Sequence, residues 1–169
     1  MGISALVPVE EYLKTSYRPD CDYIDGEVRE RNTGERDHSR MQGLLFAYLF
    51  LREKQWGISV FPEQRVQVKP TRFRIPDLCV VLGFPDEQIF RKPPFLCIEI
   101  LSPVDTVQSL QDRIDDYLAF GVPYVWVVNP QSLRGWIYTN EGAHEAKDGV
   151  LRTANPEIAL PLREVIQNP

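Results

Sequence analysis

Hydrophobic positions along the chain follow two rhythms, and the changes between them mark out the elements. From Arg36 to Trp56 the apolar residues Met41, Leu44, Leu45, Tyr48, Leu49 and Trp56 recur at helical spacing. Asp37 or Ser39 can cap the start of this helix and Gly57 can end it. A second stripe, Val107, Leu110, Ile114, Tyr117 and Leu118, predicts a helix over Asp105 to Phe120, closed by Gly121. Val9-Glu10-Glu11-Tyr12-Leu13 predicts a short amphipathic helix with Pro8 tolerated in its first turn, and Asp25-Gly26 between two alternating segments predicts a tight β-hairpin. Strands are expected over Ile58 to Phe61, Arg65 to Val68 and Ile75 to Leu82, separated by Pro62 and by Pro70-Thr71, with a charged, proline-rich loop from Phe84 to Pro94. Phe95 to Leu101 and Tyr124 to Val128 are almost wholly apolar and read as central strands. With the helix between them they form a strand-helix-strand unit, the pattern of a right-handed parallel crossover. Trp136-Ile137-Tyr138 and the remainder read as edge strands and a short tail.

One polar residue breaks this pattern conspicuously. Glu99 sits inside Phe95-Leu96-Cys97-Ile98-Glu99-Ile100-Leu101, and Asp77 opens the apolar run Leu78 to Leu82 directly after Pro76. An ionised carboxylate in a central strand is expensive unless a cation or a hydrogen-bond donor meets it. For Asp77 alone a strand-start role suffices, and for Glu99 a buried ion pair with an arginine would do. Together, on successive strands of one sheet, the two acids could hold Mg²⁺ or Mn²⁺, which favour hard oxygen ligands.

Composition narrows the setting. With 169 residues, 43% of them hydrophobic, residues 1–169 are expected to form one domain with a sizeable core. The formal net charge of -5 gives no general attraction to nucleic acid or anionic membranes, so a polyanion would need a local basic patch. Arg72, Arg74, Arg91 and Lys92 flank the acid strands and could supply one, although scattered surface charge explains them equally well. No apolar run approaches the roughly 18 residues of a membrane span, and Met1 to Pro8 lacks a basic segment followed by a long apolar one; a cytoplasmic protein is expected. Cys21, Cys79 and Cys97 are widely spaced and odd in number, which suggests neither a disulfide framework nor a zinc site.

Several segments together resemble a known family. Pro76-Asp77, Glu99-Ile100-Leu101-Ser102-Pro103, Tyr117 and Gly121-Val122-Pro123-Tyr124-Val125-Trp126-Val127-Val128 are similar to the Uma2 family (DUF820), a branch of the PD-(D/E)XK restriction-endonuclease-like superfamily. Val9 to Leu13, Ile24-Asp25-Gly26-Glu27 and His38 match the same family's front half. The resemblance implies an α/β fold with a restriction-endonuclease-like core, a central mixed β-sheet flanked by helices, preceded by an N-terminal helix and β-hairpin. It implies a metal-dependent DNA endonuclease in which Asp77 and Glu99 hold Mg²⁺ or Mn²⁺. The family's front acid falls on Asp22, either a third ligand or orienting group or else a solvated strand residue.

The superfamily's lysine two positions after the glutamate is Leu101 here. In Uma2-like sequences it is displaced onto the next helix, at a position occupied by Arg113. Arginine can hold a phosphate but stays protonated and is a poor general base. Arg113 either reaches the acids or pairs on the surface with Asp116. His38 could bind phosphate at a helix start or be a surface residue, and Gln64, Arg65 and Arg74 could line the same cleft. Three readings result: a Mg²⁺-dependent endonuclease acting on DNA, a catalytically weakened relative that binds nucleic acid or protein, or a domain whose acids serve only stability. A homodimer is compatible with each, with Trp136 and Tyr138 at the interface or in the core.

Overall fold

The computed structural model describes residues 6–31 and 34–167; Met1 to Ala5, part of the chain start considered above, lie outside the described residues. The architecture is α/β, built on a central mixed sheet flanked by helices. Helix α1 (Val9–Lys14) leads into the hairpin β1 (Cys21–Ile24) and β2 (Glu27–Glu30), where Ile24 faces Glu27. Asp25 at φ 50° and Gly26 at φ 99° give the hairpin two left-handed residues, the conformation a two-residue turn needs to match strand twist.

Helix α2 (Arg36–Phe50) ends earlier than the apolar spacing suggests, and a separate turn, α3 (Glu53–Trp56), follows. At the break Arg52 lies over the Tyr48 ring and donates to the Tyr48 carbonyl, and Glu53 is freed to accept from the backbone N–H of Val60. A continuous helix would forfeit that cap on an edge strand. Neither Asp37 nor Ser39 caps α2; Glu35 occupies the cap position without a side-chain hydrogen bond, and Asp37 pairs with Arg36.

Strands β3 (Ile58–Pro62), β4 (Val66–Lys69), β5 (Arg72–Arg74) and β6 (Leu78–Leu82) follow. The expected single strand from Ile75 to Leu82 begins instead at Leu78, and Arg72–Arg74 form a strand that the sequence pattern missed. Pro70 and Thr71 turn β4 back on β5 within a four-stranded antiparallel sheet ordered β2-β1-β5-β4. The chain then crosses at Ile75-Pro76-Asp77 into a six-stranded sheet. Pro76, with no N–H to give a ladder, suits that crossing.

The larger sheet continues through β7 (Leu96–Ile100), β8 (Tyr124–Asn129), β9 (Arg134–Thr139) and β10 (Gly142–Glu145), in the order β10-β9-β8-β7-β6-β3. Only β7 and β8 run parallel, joined by α4 (Val107–Phe120). A reciprocal cap between Thr106 and Ser109 starts α4, and Gly121 at φ 108° ends it in a conformation that L side chains resist. Val107 is 88% exposed, so the buried stripe begins one turn later than predicted.

Alternation along β7 divides two cores. Leu96, Ile98 and Ile100 join α2 residues on one face, whereas Cys97 packs with Ile114, Tyr117 and Val125 on the other. Glu99 therefore faces α4. Trp136 and Tyr138 are partly buried against this second core, on a strand that β10 covers; β9 is thus not an edge. In place of a bare tail, β11 (Val150–Arg152), β12 (Ala159–Pro161) and α5 (Leu162–Gln167) carry Leu151, Leu160, Leu162 and Val165 into the main core. All three cysteines are buried and free.

Candidate functional site

The crossing between the two sheets positions the acids. In β6 and β7 Leu78 faces Ile98, and extending this antiparallel register by one residue sets Asp77 across from Glu99. Both carboxylates open into a cleft of about 300 Å³, whose lining includes Asp22, Arg31, His38, Arg74, Asp105 and Arg113. Each acid is nonetheless almost wholly buried, with exposures of 4% and 3%.

Asp77 is held on both oxygens. Oδ1 accepts from Arg31 Nη2 at 2.8 Å, while Oδ2 accepts from the backbone N–H of Ile100 at 2.7 Å and lies 3.3 Å from His38 Nε2. Gln42 fixes the Asp77 carbonyl. Burial opposes the charge, but the His38 hydrogen bond, Arg31 and the Ile100 N–H outweigh it and hold Asp77 below the ordinary aspartate value. The same hydrogen bond raises the pKa of His38.

Glu99 is balanced differently. Oε1 accepts from the Tyr117 hydroxyl at 2.7 Å and Oε2 from Arg113 Nε at 3.1 Å; Arg113 Nη2 in turn reaches Asp105 Oδ1 at 2.9 Å. Burial, reinforced by the nearby Asp77 charge, pushes Glu99 up to about 7 against the opposing pull of Arg113, Arg31 and Tyr117. Near neutrality Asp77 therefore stays ionised, while burial lets Glu99 keep a proton for part of the time. Arg113 itself stays charged, because Glu99 and Asp105 more than offset its own burial. Its partners are these acids, not Asp116.

A second ion-pair ladder supports the cleft from below. Arg74 bridges Asp22 Oδ2 at 2.9 Å and Asp116 Oδ2 at 2.7 Å, and Arg72 joins Asp116 to Asp25. Asp22 also accepts from the Ile75 N–H. This buried carboxylate, facing the cleft from β1, is not a solvated strand residue.

No three His, Cys, Asp or Glu side chains among the described residues group closely enough to form a metal cage by themselves. The Asp77–Glu99 pair supplies hard oxygen donors beside an open cleft. That suits an ion such as Mg²⁺, which keeps several waters and takes one or two carboxylates plus substrate oxygens.

One family profile matches residues 9–165: Uma2, described as "Putative restriction endonuclease". The chain belongs to the Uma2 family. A crystal structure of a "putative nuclease belonging to DUF820" from Anabaena variabilis superimposes with a TM-score of 0.82 at 20% identity, covering 95% of this chain and 98% of that one; the likeness shows a common fold. No curated protein sequence matches.

Of the residues singled out in this Uma2 sequence, Asp77, Glu99, Arg113, Asp22, His38 and Arg74 meet in one cleft. Gln64 and Arg65 do not line it: Gln64 donates to the Arg65 and Gln88 carbonyls, and the Arg65 guanidinium lies over the Tyr12 ring at 4.7 Å. Nor do Arg72, Arg91 and Lys92 line it; Arg91 is turned toward its own loop. Sequence reasoning missed Arg31, Asp105 and Asp116. Asp105 carried a signal, directly before Thr106, the capping residue of the acid-proximal helix; Arg31 carried none, since only the sheet crossing brings it to Asp77.

Proposed function

We propose that this Uma2 protein is a divalent-metal-dependent endonuclease that hydrolyses phosphodiester bonds in DNA, with Asp77 and Glu99 as ligands of Mg²⁺ or Mn²⁺. The observation that carries this reading is the convergence of two buried acids from adjacent strands on one open cleft. A bound ion would polarise the scissile phosphate and lower the pKa of an attacking water. The chain's own groups do the rest. Tyr117 and the Ile100 N–H fix the rotamers of Glu99 and Asp77 and leave each with free lone pairs. Arg113, pinned by Glu99 and Asp105, presents a permanent cation for a phosphate oxygen but cannot accept a proton from water. His38, held by Asp77 at the start of α2, adds a titratable cation to the cleft wall.

A weakened nuclease that binds nucleic acid or protein is favoured by one specific observation: both acids already have an arginine partner. Supercoiled and linear DNA incubated with Mg²⁺, Mn²⁺ or EDTA, beside Glu99→Ala and Asp77→Ala proteins, separates the two. Metal-dependent nicking absent from both variants supports the enzyme. Binding of DNA without cleavage in any metal supports the weakened relative. An Arg113→Lys protein that gains cleavage from near zero does so too.

A further inference from the structure

Of the four arginines among the described residues that line the cleft, Arg29 pairs with Glu27 at its exposed side, and the other three are anchored unequally. Arg113 is fastened by Glu99 and Asp105, and Arg74 by Asp22 and Asp116. Arg31 makes one ion pair among the described residues, from Nη2 to Asp77 Oδ1 at 2.8 Å. It follows β2, the outer strand of the four-stranded sheet, which is largely exposed and pairs on one side only. Its backbone N–H reaches the Asp20 carbonyl at a long 3.4 Å.

The two oxygens of Asp77 are correspondingly unequal. Oδ2 is committed to the rigid backbone of β7 and to His38. Oδ1 faces Arg31, whose guanidinium also feels Glu99 and Asp22. Oδ1 is the less encumbered side of Asp77 toward a cation shared with Glu99, and Arg31 already holds it.

We propose that Arg31 is an internal counter-ion occupying the cation's place at Asp77, so that a divalent ion loads only as Arg31 turns away. This rests on reading Asp77 and Glu99 as metal ligands. At one end the exchange calls for side-chain rotation at the cleft wall, where Arg31 keeps 18% of its side chain exposed. At the other end it is costly, because Asp77 cannot stand unpaired in its buried setting. The two events are therefore linked: the ion that arrives replaces the charge that leaves. The released fork is then free to take a phosphate oxygen of the substrate bidentately, a geometry that guanidinium suits. The protein stays stable without metal, and the ion must outcompete a tethered rival.

Isothermal titration with Mn²⁺ tests this on the full chain. Arg31→Met should bind Mn²⁺ about tenfold more tightly than the unaltered protein, a factor typical of removing one competing state. Arg29→Met removes the same charge from another cleft-lining position on the same hairpin, but Arg29 is exposed and pairs with Glu27, not Asp77, so its effect should stay below about threefold. Equal shifts in the two variants mean that only long-range charge is at work and overturn the proposal, as does unchanged or weaker binding in Arg31→Met. Should Arg31→Met fail to fold, Arg31→Lys keeps the net charge but loses the fork. Tighter Mn²⁺ binding there supports competition, and unchanged affinity overturns it. If no protein binds Mn²⁺, or Asp77→Asn binds as well as the unaltered chain, the metal-ligand reading itself has failed and takes this one with it.

Discussion

Replacing Glu99 by glutamine should flatten the pH dependence of stability in the metal-free protein. In the folded chain burial and the neighbouring Asp77 charge raise Glu99 from 4.5 to about 7, so between those values the native state keeps a proton that the unfolded chain has released. Stability must then fall as pH rises through this window, opposite in sign to an ordinary ion-paired carboxylate. The shift corresponds to about 3 kcal/mol across the window. Asp77 does not contribute there: its pKa is lowered, so its stabilisation is fully present above the ordinary aspartate range and is lost only on acidification. His38 adds to the fall at the upper end, because its raised pKa gives stability that is present below 6.5 and is lost as pH rises through the folded value. Urea unfolding in EDTA at pH 5, 6, 7 and 8 measures the effect, and 3 kcal/mol moves the midpoint by roughly 1–2 M at typical slopes. The unaltered protein should lose stability steadily over this range, while Glu99→Gln keeps only the His38 share. A midpoint that is flat or rises between pH 5 and 7, or an equal fall in Glu99→Gln, would refute the reasoning. Mg²⁺ should restore stability at pH 8 if the ion takes the proton's role.

Further outcomes follow from neighbouring groups. Tyr117→Phe removes the hydroxyl that stabilises the Glu99 charge, so the upper end of the Glu99 window should move above 7, at a cost of about 2 kcal/mol; the same urea series reads both. Asp116→Ala leaves Arg74 with a single partner and strips Arg72 of one of its two, and should destabilise by about 3 kcal/mol in urea at neutral pH, with Asp116→Asn milder. Gly121→Ala forces an alanine to φ 108° and brings its Cβ to 3.2 Å from Pro93; a loss of about 1–2 kcal/mol should appear in thermal melts without change in Mn²⁺ affinity.

What could be read from the sequence divides along the range of the forces involved. Local rules located the Asp25-Gly26 hairpin, the Gly121 stop and the crossover of β7, α4 and β8, because turn chemistry and apolar spacing act within a few residues. The acids were visible for the opposite reason: Glu99 violates its own strand's pattern, and such violations require a partner. Arg113 lay within reach because helical spacing carries it along the Tyr117 stripe. The break at Leu51 and Arg52 was invisible, since it exists to place Glu53 on a strand edge that no helical pattern describes. Arg72 to Arg74 were missed as a strand, and the next strand was begun at Ile75, because nothing in their spacing reveals that the chain changes sheets at Pro76. The same blind spot hid Arg31 and led Gln64 and Arg65 to be assigned to the wrong face.

The sheet change at Ile75-Pro76-Asp77 also orders events in time. Asp77 belongs to the joint: its Oδ2 reaches the Ile100 N–H once β6 and β7 pair, but its Oδ1 reaches Arg31 only once the hairpin sheet and the larger sheet have docked. Contacts so distant along the chain close late, after local helices and hairpins have formed. If Asp77 and Glu99 hold a cation as proposed, a refolding chain would accordingly bury Trp126 before it can bind one. Mn²⁺ affinity, followed by rapid mixing, would serve as a clock for the last step of assembly.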